Sequence, residues 1–148
     1  MKDKKNSLSH KIVCGISIGM VCSTLLIGGK AVYASSDVSQ YQFSFDYGNT
    51  DETDAIRKND TSAAYMYCQN CDGTDSGYSA QVYGSWDAAK RGAVSCSNSY
   101  NFYEGTQRMV SNTVHQDRNY AYFVGALNAY DAASYSGIWY PDNSEGYE

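Results

Sequence analysis

The sequence predicts an all-β fold: one small antiparallel β-sandwich of about seven short strands, following an N-terminal signal peptide. Three observations predict it. Beyond residue 34 the chain holds fourteen Tyr, four Phe and two Trp, but only one Leu and two Ile. Aromatic side chains suit pleated, half-buried surfaces better than helix interfaces. Residues Tyr41–Tyr47 alternate aromatic and polar without a break, the period of a strand with one buried face. Turn-forming residues then recur at short intervals, leaving no window long enough for a βαβ unit.

The first element is an address, residues 1–34. Lys2, Lys4, Lys5 and Lys11 precede an apolar run from Ile12 to Ile27, and Ala31-Val32-Tyr33-Ala34-Ser35 closes it. A basic start, an apolar middle and small residues at the cut define a signal peptide, with cleavage expected between Ala34 and Ser35. The 16-residue apolar run falls short of the roughly 20 residues that span hydrocarbon. The product, residues 35–148, is therefore expected outside the cell, free or associated with the cell wall, with no membrane insertion after cleavage.

Strands are predicted along that product at Tyr41–Tyr47, Thr61–Cys68, Tyr78–Ser85, Ala93–Cys96, Gln107–Val114, Tyr120–Leu127 and Ser134–Tyr140. In the second, Ala64, Met66 and Cys68 share one face and Tyr65 and Tyr67 the other. In the third, Tyr78, Ala80 and Val82 face one way. A turn over Gln69–Gly77, built around Asp72-Gly73, makes these two strands a hairpin. Thr50–Asp60 is acidic and short of apolar residues and reads as a loop, Trp86–Gly92 as a helical turn or loop, Ser97–Gly105 as a polar segment and His115–Asn119 as a turn. The strand Tyr120–Leu127 sets Tyr120, Tyr122, Val124 and Ala126 against Ala121, Phe123 and Leu127. After Pro141 the acids from Asp142 to Glu148 read as a solvated tail.

At this point the layout resembles a known family. The leader, the alternation Tyr41-Gln42-Phe43-Ser44-Phe45, the basic pair Arg57-Lys58 and the ending Tyr135-Ser136-Gly137-Ile138-Trp139-Tyr140-Pro141-Asp142 are similar to the small secreted Gram-positive family called domain of unknown function 2712. A terminal Gly-x-Trp followed by acids recurs in it. The resemblance spans most of residues 35–148, and the three cysteines beyond the leader depart from it. The family has no agreed activity, so it implies no site residue. Some relatives are similar in setting to bacteriocin-like peptides exported beside transporter genes.

Charge narrows the function classes. Fifteen acids against six bases remain after residue 34, a net charge of −9. Such a surface repels nucleic acid and anionic lipid. No Gly-x-Ser-x-Gly elbow, His-Glu-x-x-His or phosphate loop is present, and the single histidine after the leader, His115, sits in a polar turn. The expectation is a non-enzymatic domain without a cofactor, binding an unknown protein or a cell-envelope glycan. A bacteriocin-like antagonist of competing bacteria and a small exported enzyme are the alternatives.

Two sets of side chains carry candidate chemistry. Cys68, Cys71 and Cys96 allow one disulfide and one leftover thiol in an oxidising compartment. A long bridge from Cys96 to Cys71 or Cys68 would contribute roughly 3 kcal/mol, whereas Cys68 to Cys71 would close a small strained ring. A zinc site with His115, a redox pair and unpaired thiols stay open as readings. Asp72–Gly77 has calcium-loop character without the full ligand pattern. Trp86, Tyr100, Tyr103 and Trp139 lie in or beside loops and are candidates for stacking on a ligand, with plugging of the sandwich ends as the alternative for the tryptophans.

Overall fold

Aromatic alternation builds the first strand, β1 (Ser39–Asp46), in which Tyr41, Phe43 and Phe45 are buried and every even position is exposed. The computed structural model describes residues 38–143; the leader and the Ala34–Ser35 bond lie outside the described residues. Nine further strands follow: β2 (Thr50–Glu52), β3 (Ile56–Arg57), β4 (Ala64–Gly73), β5 (Tyr78–Ser85), β6 (Val94–Ser95), β7 (Tyr100–Phe102), β8 (Gln107–Val110), β9 (Tyr120–Leu127) and β10 (Ala132–Tyr140). One helical turn, α1 (Val114–Asp117), precedes β9.

The strands form two antiparallel sheets. The first has the order β1-β10-β4-β8; the second runs β2-β9-β5-β6, with β3 also on β9 and β7 also on β5. Their facing sides close over Phe43, Phe45, Met66, Tyr78, Phe102, Phe123, Tyr135 and Trp139, all 2% exposed or less. Each such side chain contributes about 1.5–3 kcal/mol by leaving water. Phe43 and Tyr78 meet edge to face at 5.4 Å, as do Phe123 and Trp139 at 5.6 Å, an arrangement that aligns ring edges with ring faces.

The all-β sandwich predicted from the sequence is the fold, with corrections in its parts. Ten strands replace seven, because the Thr50–Asp60 segment contains β2 and β3 and the Ser97–Gly105 segment contains β7. These pieces of two or three residues carry no alternation of their own and exist by pairing with β9 and β5. The expected β4–β5 hairpin does not form. β4 lies in the first sheet and β5 in the second, so Thr74–Gly77 crosses between layers. The expected turn from Gln69 is instead strand as far as Gly73, because the β10 backbone is there to pair with it. His115 belongs to α1 rather than to a plain turn, and is exposed.

The C-terminal end is not a solvated tail at its start. Asp142 is 6% exposed and Lys58 3%. Lys58 Nζ donates to Asp142 Oδ1 at 2.8 Å and to the Ser62 and Pro141 carbonyls at 2.7 Å. Asp142 also accepts from the Asn59 and Asp60 N–H groups. The charge leaves water because every donor on the ammonium finds an oxygen.

Candidate functional site

The outer face of the four-stranded sheet is assembled by one irregularity. Along β4, Ala64, Met66 and Cys68 point inward, so strict alternation would send Asn70 and Asp72 inward too. The pairing of β10 with β4 shifts between Ser136 and Gly137, leaving Gln69 as an extra residue. The shift reverses the parity. Cys71 then packs against the core while Asn70 and Asp72 are exposed. Gly137 permits this: a β-carbon there would lie 1.9 Å from the Tyr67 carbonyl oxygen.

Cross-strand register lays the outward side chains in rows. Ser44, Ser134 and Asp72 form one row, and Gln42, Ser136 and Asn70 the next. Gln40, Ile138, Tyr67 and Gln107 make a third, followed by Tyr140, Tyr65 and Met109. The first two rows border a recess of about 140 Å³ that reaches the edges of Cys71 and Tyr135. At the far end Tyr65 stacks on Tyr140 at 4.6 Å and donates from its hydroxyl to Gln107 Oε1 at 2.8 Å. Burial, then the neighbouring Tyr140 and Tyr67, push the Tyr65 phenol up to about 12, so it stays a neutral hydroxyl at ordinary pH. The outward positions of β1, β10 and β4 carry acids only at Asp46 and Asp72 and no base.

Beneath this face lies a polar cluster. The Tyr41 and Tyr78 hydroxyls meet at 2.7 Å, with the Cys68 thiol in hydrogen-bond reach of both. Burial pushes that thiol up to about 11. The Tyr135 hydroxyl accepts from Gly77 N–H at 3.0 Å and donates to Asp75 Oδ1 at 3.2 Å. Asp75 Oδ2 accepts from Glu104 N–H. The oxygens of the calcium-like segment thus hold the turn together.

The four ligand-stacking candidates do not converge. Trp139 is fully buried and is a core residue, which removes it from the binding candidates; the inward parity of β10 puts it there. Tyr100 is half-buried in β7 against the core. Trp86, 58% exposed, sits after β5 under the Arg118 guanidinium at 5.2 Å. Tyr103, 44% exposed, crowds Gly77 before β5. Trp86 and Tyr103 therefore stand about 25 Å apart, the length of that strand.

The cysteines are free thiols, and the long bridge expected from their spacing is not formed. Cys68 faces Tyr78, whereas Cys96 sulfur lies against Gly84. Those two partners stand six positions apart on β5, about 20 Å, and a bridge needs Cα atoms within about 7 Å. The same separation dismantles the zinc set with His115; among the described residues no three of His, Cys, Asp and Glu cluster as metal ligands. A second recess, of about 400 Å³ between Ser95–Asn98 and Ser111–Thr113, is lined mostly by side chains already engaged. Ser97 Oγ accepts from Val82 N–H, and Asn112 Oδ1 from Val114 N–H.

The polar rows were visible in the sequence as Gln40, Gln42 and Ser44 between the aromatics of β1 and as Ser134 and Ser136 in β10. Their partners on β4 were hidden by the bulge.

A family model described as protein of unknown function (DUF2712) matches residues 30–143. Neither a curated protein nor a solved structure matches the chain. The match covers more than half of the chain, and the chain belongs to this family.

Proposed function

We propose that this DUF2712 family member is an exported, non-enzymatic binding domain that holds a neutral cell-envelope glycan along the outer face of its four-stranded sheet. The observation that carries the reading is the set of in-register rows, amide and hydroxyl side chains in the middle with the half-buried rings of Tyr67 and Tyr65 beyond them, Tyr140 lying buried beneath Tyr65. Amides and hydroxyls match the donors and acceptors of sugar hydroxyls, and tyrosine rings match the apolar faces of the sugar rings. The rows from Asp46 to Tyr140 extend over about 27 Å, room for several sugar units. A net charge of −9 after the leader disfavours anionic polymers, which selects the neutral ones. Export rests on the leader, with Ser35 as the expected new N-terminus. N-terminal sequencing of secreted material checks this, and an intact Met1 would speak against it.

The binding test uses protein 35–148 sedimented with chitin and with cell-wall sacculi stripped of anionic polymer. Co-sedimentation is expected, weakened about tenfold by Gln42→Ala combined with Asn70→Ala, a loss of roughly 1.4 kcal/mol. Equal sedimentation of the variant and the parent would remove the face from the site. Retention on neither material would remove the glycan.

A further inference from the structure

Tyr47 breaks a local rule. It and Gly48 are the central residues of the turn from β1 to β2, at φ 44° and 96°, closed by Asn49 N–H to the Asp46 carbonyl at 3.3 Å. Two central residues at positive φ belong to a turn that favours Asn-Gly. A tyrosine there occupies the left-handed region, which non-glycine residues other than Asn and Asp avoid. Such strain persists only when something retains it, and it clusters at functional positions.

The strained position projects an exposed ring. Tyr47 is 56% exposed and pairs with Tyr130, 82% exposed, with ring centres 5.5 Å apart and planes inclined at 51°. Tyr47 N–H donates to the Asp131 carbonyl at 2.9 Å, and Gly48 lies under the Tyr130 ring. The β1–β2 and β9–β10 connections are thereby tied together. Neither phenol hydroxyl meets a partner among the described residues. Folding gains little from leaving two large rings in water beside each other. Both flank the end of β1 and β10 where the row Ser44, Ser134 and Asp72 lies, with Asp46 and Asp131 next to them in sequence.

Resting on the reading of the sheet face as a glycan track, we infer that Tyr47 and Tyr130 form its terminal subsite, stacking on the end ring of a neutral sugar chain. Asp46 and Asp72 accept from the sugar hydroxyls there. The two rings, in contact with each other at 5.5 Å, offer one continuous aromatic surface at the end of the rows, so the pair takes the apolar face of a terminal sugar while the amide rows hold the chain's interior.

Calorimetric titration of protein 35–148 with chitohexaose, cellohexaose and mannohexaose tests this, with Tm measured alongside. Tyr47→Asn supplies the residue the turn prefers and removes the ring, so Tm is expected to rise by a few degrees while binding weakens about tenfold. Tyr130→Ala is expected to weaken binding similarly with Tm unchanged. A merely structural pair would lower Tm in both variants, and that outcome overturns the subsite. So does parental affinity in both variants when Gln42→Ala still weakens binding, which leaves the track standing alone. No heat from the parent protein with any of the three hexamers overturns the track and the subsite together.

Discussion

At Gly137 the backbone tolerates nothing larger than hydrogen, since a β-carbon would fall 1.9 Å from the Tyr67 carbonyl. The obstacle is main chain, which cannot swing away as a side chain would. Gly137→Ala is expected to destabilise the domain by about 3 kcal/mol, read as a lower urea midpoint; an unchanged midpoint would mean the bulge can slide. Cys68 illustrates the other limit of reading single residues. The Cys-x-x-Cys spacing is plain in the sequence, but strict alternation sends its two members to opposite faces. The extra Gln69 turns both inward, and nothing in the residues around it announces an insertion. Buried, the Cys68 thiol ionises only near 11 against an ordinary 9. Between those values the unfolded chain gives up this proton and the folded chain keeps it. Stability is therefore fully present below pH 9 and falls as pH rises toward 11. Replacing Cys68 with Ala should flatten part of that fall in a pH series of denaturation curves. A slope equal to the parent's would show that Cys71, Cys96 and the buried tyrosines, all raised by burial, account for all of it.

At the scale of elements, the strands with strong internal pattern were legible and those formed by partners were not. β5 and β9 have the predicted bounds because apolar residues alternate through them. β2 and β3 lie in an acidic stretch whose only signal is the edge of β9 that receives them. The segment after β3 was obscured for a related reason, since Lys58 and Asp142 are 84 residues apart and each looks solvated alone. Together they clasp the end of β10 to the connection between β3 and β4. Removing one member of a buried pair strands the other without solvent, typically at about 3–5 kcal/mol. Lys58→Met and Asp142→Leu should each fall in that range, and the double variant Lys58→Met/Asp142→Leu should be less destabilised than their sum. Additive losses in a double-mutant cycle would mean the two side chains act independently. Asp60 in the same connection adds an acid limb. Burial raises its carboxyl, but the Ser62 hydroxyl and N–H, Asp142 and Lys58 together hold it below the ordinary value. Its contribution is present above the ordinary carboxylate range and is lost as pH falls through the lowered value.

Over the whole molecule, the topology sets how the sandwich can assemble. β1 opens the domain and β10 closes it, yet they are neighbours, with Phe43 opposite Tyr135, 92 residues away. β10 sits between β1 and β4, so the first sheet has no centre until the end of the chain arrives. Closing a loop of that length costs entropy before any pairing returns it, which places folding among the slower, non-local β topologies. Sequence reading could recognise a sandwich from composition and alternation, but not this neighbourhood, because alternation says which face is buried and nothing about which strand lies beside it. The arrangement makes a definite permutation available. Ser39 lies opposite Trp139, so a linker of about six residues from Asn143 to Val38 would turn the most distant strand pair into a local one. New ends can open between Ala88 and Ala89, both exposed in the turn after β5. The permuted chain is expected to keep the β-type far-UV spectrum and to lose no more than a few degrees of Tm. In stopped-flow refolding it should outpace the parent, since its mean contact separation falls. A permutant that refolds at the parent's rate would show that joining β1 to β10 is not the slow step, and one that fails to fold would show that the turn after β5 must stay closed for the second sheet to form.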